Sequence, residues 1–143
     1  MDYRAVFQIS AAGMDLEKRR VEVAALNLAN MHATAPGGKL AFVPQRLVAE
    51  PLSVNFNQAM SSVGPAVLPR KVQVIGSDAP ARLAHDPGHP HANAQGFVAF
   101  APVDQATEMI AVSAALRAYE ANIAVATSAR AMAAKALELG GQS

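Results

Sequence analysis

The chain has 143 residues, 52% apolar but only 5% aromatic, without Trp or Cys, and its 12 basic and 11 acidic residues leave a net charge of +1. That balance excludes an electrostatic case for nucleic acid, and the lack of Cys excludes disulfides, Cys-ligated zinc and thiol catalysis. Much of the apolar fraction is Ala, 32 residues in all, which bury little area each and favour closely approaching helices over a deep-pocketed enzyme.

Composition divides the chain into three zones, 1–34, 35–102 and 103–143. Residues 3–31 contain no Pro and one Gly, Gly13, and form the first predicted helix. The N-terminal Met1–Ile9 lacks both a basic leader and a continuous apolar stretch, so no cleaved secretory signal is expected. No uninterrupted apolar run in the chain approaches the ~18 residues of a membrane span, and none is expected. In the helix, Ile9, Leu16 and Val23 repeat at seven residues, as do Met14, Val21 and Leu28. The two series lie about 200° apart around a helix, which implies burial on two sides, the second supplied by other subunits. The basic run Lys18-Arg19-Arg20 reads as a solvated face, because Asp15/Arg19 and Lys18/Glu22 stand at i,i+4.

Every Pro lies between residues 35 and 102, together with most of the Gly. Short extended segments are predicted in this loop-rich middle. Leu40–Val48 is interrupted by Pro44, and Leu52–Phe56 and Lys71–Val74 alternate as strands do. Arg82–Ala84 and Phe97–Phe100 are shorter candidates, and Gln58–Pro69 reads as a loop.

Residues 104–139 contain neither Gly nor Pro, and a second helix is predicted from an Asp104 N-cap to Leu139. Met109, Leu116 and Ile123 repeat at seven, with Val112, Tyr119, Ala126 and Ala133 as the companion series; Leu137 resumes the first after Arg130. Together these predict a coiled-coil seam. The fold class expected is α+β, mainly α: long N- and C-terminal helices in an antiparallel coiled-coil pair, with a small β-containing middle.

Candidate chemistry is sparse. His85, Asp86, His89 and His91 could offer metal ligands, but Pro87, Gly88 and Pro90 make the segment a turn whose side chains need not converge. No Ser stands in a Gly-x-Ser-x-Gly elbow, and Pro36-Gly37-Gly38-Lys39 lacks the spacing of a phosphate loop. No enzyme, cofactor or resident metal is expected. Two rival readings are a cytoplasmic coiled-coil adaptor and a metal-dependent hydrolase using the His85–His91 turn.

Three motifs in order resemble the flagellar rod and hook axial protein family, and within it the subunits of the proximal rod. Leu26-Asn27-Leu28-Ala29-Asn30 is similar to the family's "NLAN" signature. Leu83 to Pro90, followed by Ala92 to Val98, resembles a "YDPxHPxAxxxGYV" segment. Glu108-Met109-Ile110 and Arg117 to Ile123 resemble an "EM…R.YEAN" helix, continued by Ala131-Met132 and Lys135-Ala136-Leu137. The sequence departs from the pattern at His85 and Phe97, where Tyr is usual, at Phe42–Arg46 and at Gln58–Pro69.

The resemblance implies a non-enzymatic structural subunit in which Asp86-Pro87 and His89-Pro90 form a turn rather than a metal cage. It implies export, unfolded and without signal cleavage, through the flagellar type III apparatus. It also implies assembly with itself and other rod subunits into the periplasmic rod that carries motor torque, the terminal helices ordering as the rod forms. Neither a direct membrane span nor a nucleic-acid partner is implied. The expected assembly contacts are Leu16, Val23, Asn27 and Asn30 on the first helix and Leu116, Tyr119, Asn122 and Ile123 on the second, with the amides at 27, 30 and 122 satisfying backbone or amide groups.

Overall fold

Two helices, α1 (Tyr3–Asn30) and α2 (Gln105–Gly140), dominate the computed structural model, which describes residues 3–50 and 71–140. Among the described residues between them lie a short 3-10 turn at Pro36–Gly38 and four strands: β1 (Gln45–Glu50), β2 (Lys71–Gly76), β3 (Arg82–His85) and β4 (Phe97–Phe100). The strands form two separate antiparallel pairs, β1–β2 with Gln45 opposite Gly76 and β3–β4 with His85 opposite Phe97. The molecule is mainly helical, with a small antiparallel strand region, as the sequence predicts. The expected strand Leu52–Phe56 and loop Gln58–Pro69 lie outside the described residues.

The helix limits follow the distribution of breakers. Asp104 caps α2: its Oδ2 accepts the Thr107 N–H at 3.0 Å and also the Thr107 hydroxyl. These donations, the hydroxyl's first and then the amide's, hold the Asp104 carboxyl below its ordinary value of 3.8. On α1 the predicted i,i+4 pairs form, Arg19 to Asp15 at 2.9 Å and Lys18 to Glu22 at 3.7 Å, all four side chains exposed. Pro44 accounts for the start of β1 at Gln45. It has no N–H to give, but its carbonyl accepts the Ser77 N–H at 2.7 Å and extends the ladder by one bond.

The helices run antiparallel and pack along their length. Gly13 faces Asn122 and Asn27 meets Glu108, so fourteen residues forward on α1 match fourteen back on α2. Small side chains line the contact. Ala5, Ser10 and Ala24 are buried on α1, and Ala115 and Ala129 are the only buried residues of α2. At Gly13 the approach is closest: a Cβ there would come within 2.6 Å of Asn122 Oδ1 and 2.9 Å of its Cγ.

This seam differs from the one read off the larger side chains. Val112, Tyr119, Ala126 and Ala133 are half-buried, and Ala115, Asn122 and Ala129 alternate with them. Met109, Leu116 and Ile123 sit on the flank of the seam and are exposed. Side chains of that size between the helices would hold them apart at Gly13.

By length and composition, α2 is also apolar enough to cross a membrane, its most apolar 18-residue window having a mean hydropathy of 1.2. A search for continuous apolar runs overlooks this, because the hydropathy comes from Ala residues interspersed with polar ones.

Two stability tests follow. Gly13→Ala is expected to lower unfolding stability by about 1–2 kcal/mol, a steric conflict outweighing the helix-propensity gain of ~1 kcal/mol. Adding Asn122→Ala should restore it to at least the native value in urea denaturation, since the opposing amide is then gone. At the Asp104 cap, a lowered carboxyl pKa contributes stability that is present above pH 3.8 and lost as pH falls through the folded value. Fraying of the first turn of α2 should therefore set in below pH 3.8, and Asp104→Asn, a cap that does not titrate, should abolish this acid dependence in amide-exchange measurements.

Candidate functional site on the helix pair

The four strands present few buried groups, and the polar features that organise the chain converge at one end of the helix pair. Asn27, 1% exposed, lies in the last full turn of α1. Its Nδ2 donates to the Gln45 carbonyl at 2.9 Å and to Glu108 Oε1 at 3.1 Å, while its Oδ1 accepts the Gln45 N–H at 2.8 Å. The amide thus pairs with both backbone groups of Gln45 as a neighbouring strand would, and simultaneously ties down the first turn of α2. Asn30 and Asn122 turn inward on their own helices, donating to the Leu26 carbonyl at 2.9 Å and the Ala118 carbonyl at 2.8 Å.

The eight expected contact residues separate into groups. Leu16 and Asn27 are buried within the chain, and Val23, Asn30, Tyr119 and Asn122 are half-buried. Leu116 and Ile123 stand 48% and 43% exposed. They belong to a larger set of outward apolar side chains on α2, with Met109, Ile110, Val125, Met132, Leu137 and Leu139. Where α1 begins and α2 ends, Tyr3, Met132 and Leu139 line an open groove with Ala131, Lys135 and Ala136.

Glu17 is buried; its Oε1 lies 3.7 Å from Arg20 Nη1, and among the described residues its Oε2 has no hydrogen-bond partner. The two-stripe reading of α1 gave no signal for it, since Glu17 belongs to neither series. The roles of Gly13 and of Gln45 were equally hidden, because a single close approach or a bond spanning 18 residues leaves no periodic trace.

The His85–His91 turn is built from local bonds. Asp86 N–H donates to the Gly96 carbonyl at 2.9 Å, and Asn93 Oδ1 accepts the N–H groups of Gln95 and Phe97 at 3.0 and 2.9 Å. Gly96, at φ +79°, closes the turn where a Cβ would meet His85 Nε2 at 3.2 Å. The imidazoles do different things: His85 packs edge-on against Phe97, His89 accepts from the His91 backbone, and His91 bonds Thr34. Among the described residues no group of three or more His, Asp or Glu is arranged to hold a metal ion.

The helix pair is thus packed side by side, tied by a polar junction at one end and lined with exposed apolar side chains. Residues 94–139 match the family model of the flagellar basal body rod FlgEFG protein C-terminal region. Over 136 residues the chain is 35% identical to the flagellar basal-body rod protein FlgC of Escherichia coli O6:H1, covering 94% of this chain and 96% of that one. The FlgC of Salmonella typhimurium gives the same identity and coverage. That of Bacillus subtilis is 33% identical over 141 residues, with 92% and 94% covered. The chain belongs to the FlgC family of flagellar basal-body rod proteins. Its role is that of a structural rod subunit in a family without enzymatic activity, and the adaptor and hydrolase readings find no support.

Within this FlgC-family chain, Asn27 of the "NLAN" motif is the residue on which most depends. Asn27→Ala would leave the N–H and C=O of Gln45 without partners, at about 1–3 kcal/mol for a buried group so stranded. We expect a loss of about 2–3 kcal/mol in chemical denaturation. Asn27→Asp should be no milder, because it removes the donor and sets a carboxylate against Glu108.

Proposed function

We propose that the chain is a proximal-rod subunit that joins copies of itself and other rod subunits mainly through the exposed apolar side chains on the flanks of α2. The observation that carries this is the set of eight large apolar side chains left exposed on that helix, from Met109 to Leu139. A surface of this extent on a lone chain marks a site of association. The contact set changes accordingly. Leu116 and Ile123 meet neighbouring subunits, whereas Leu16 and Asn27 hold the helix pair together so that the face can be presented.

The same reading covers the membrane-length hydropathy of α2. We take it as a packing helix, since α1 lies along it and Arg117, Glu120, Arg130, Lys135 and Glu138 interrupt its outer surface. We further propose that the subunit leaves the cell through the flagellar export apparatus without a cleaved signal. The basis is membership of the flagellar basal-body rod protein family together with a helix pair whose seam of small residues buries little apolar area. In the periplasm the assembled helices would form the shaft that carries torque.

The double variant Leu116→Glu/Ile123→Glu tests the proposal. Both positions are exposed, so purified variant and native chain should unfold within about 0.5 kcal/mol of each other. In cells, the variant should be exported but leave basal bodies without a completed rod, with motility lost. Full motility in the double variant would overturn the assignment of this face.

A further inference from the structure

The exposed apolar side chains of α2 do not form one face. Val125, Met132 and Leu139 recur at seven residues, and so do Met109, Leu116 and Ile123; all six are exposed. At about 100° per residue the two rows lie ~160° apart around the helix. The seam residues Ala115, Asn122 and Ala129 fall between them, so each row stands on its own flank of the helix pair. The flanks differ in shape, because Tyr3 of α1 joins Met132 and Leu139 to make the first an open groove. They differ in charge as well. Exposed Lys135 borders the first flank and exposed Glu120 the second, both on the side of α2 away from α1.

We propose that the Met109–Leu116–Ile123 row of one copy lies against the groove-bearing row of a second copy, the two α2 helices running parallel. The proposal rests on the reading of α2 as the assembly surface and adds its register. A stagger of sixteen residues, ~24 Å along the helix, sets Met109, Leu116 and Ile123 beside Val125, Met132 and Leu139, pair by pair. The same stagger sets Glu120 opposite Ala136, next to Lys135. In the lone chain Lys135 holds Glu138 at 3.0 Å in an exposed pair, which contributes little and is readily exchanged. Arg130, which breaks the second row before Leu137, then falls beyond the neighbour's last helical residue, Gly140. Without a stagger Arg130 would lie level with Met132. An antiparallel match of the same rows would part Glu120 from Lys135 by seven residues and bring Arg130 into the contact, level with Ala118.

The contact joins unlike surfaces, so each copy takes one neighbour on either flank. Unlike contacts close into a ring only when the last copy returns to the level of the first. A stagger of ~24 Å per copy prevents that closure and winds successive copies into a helix.

Because the chain has no Cys, introduced thiols report the register in concentrated, purified full-length chain. On mild oxidation, a mixture of Ile123→Cys and Leu139→Cys should give mixed disulfide dimers in about tenfold excess over either variant alone. Ile123→Cys mixed with Val125→Cys, the match expected without a stagger, should link no better than the single variants. A chain carrying both Ile123→Cys and Leu139→Cys should form a ladder of longer products. Lys135→Glu on the groove side should lower the mixed product about two- to fivefold, and Glu120→Lys on the other copy should regain it. The register is overturned by self-linking of Ile123→Cys as readily as the mixture, by equal linking through Val125→Cys, or by a charge swap that regains nothing. Absence of the mixed product while native chains sediment as oligomers would sink the register and leave the α2 reading standing. Full motility of Leu116→Glu/Ile123→Glu would remove the α2 reading beneath it.

Discussion

The distance between α1 and α2 governs the rest of this molecule. At Gly13 the helices lie so close that a single added carbon would strike the Asn122 amide, and the antiparallel register depends on residues small enough to permit it. Ala and Ser therefore occupy much of the seam, and most of the larger apolar side chains of α2 are left exposed. A thin core and an apolar exterior are one constraint seen from two sides. Burying mostly Ala removes little surface from water, so the pair gains modestly on its own and keeps most of its apolar area for other contacts. That division of labour suits a subunit whose stable state is an assembled one.

The strand region obeys a related logic on a smaller scale. Among the described residues each sheet has two strands, and an isolated pair of strands is marginal in water. What holds them is polar and specific: Asn27 on β1, and the Asn93 side chain on the residues entering β4. Among the described residues of the two sheets, only Val98 and Ala99 are buried apolar side chains. Among the described residues, β1 and the entry to β4 are thus positioned by side-chain hydrogen bonds more than by apolar burial.

Much of this was legible in the sequence, for identifiable reasons. Pro and Gly gather between residues 35 and 102, which delimits the helices to within a residue or two, and Asp104 announced the start of α2. Alternation located β2, and the shorter candidates Arg82–Ala84 and Phe97–Phe100 became β3 and β4. What misled was size. Met109, Leu116 and Ile123 have the heptad spacing of a seam, but spacing says which residues share a stripe and nothing about which stripe turns inward. Here the smaller stripe did, because close approach favours it. The tertiary role of Asn27 was half visible: its motif marked the residue, while its partners, the backbone of Gln45 and the carboxylate of Glu108, lie 18 and 81 residues away. The isolation of Glu17 Oε2 is a fact of geometry with no counterpart in spacing.

The Asn27 amide also has a mechanical meaning. A planar group held by three bonds, two to one residue of a strand and one to a second helix, cannot turn about its own axis without breaking at least one of them. β1 is therefore keyed to the helix pair as a cog is keyed to its spindle. A twist applied to the helices would load the β1–β2 ladder directly, through a single side chain.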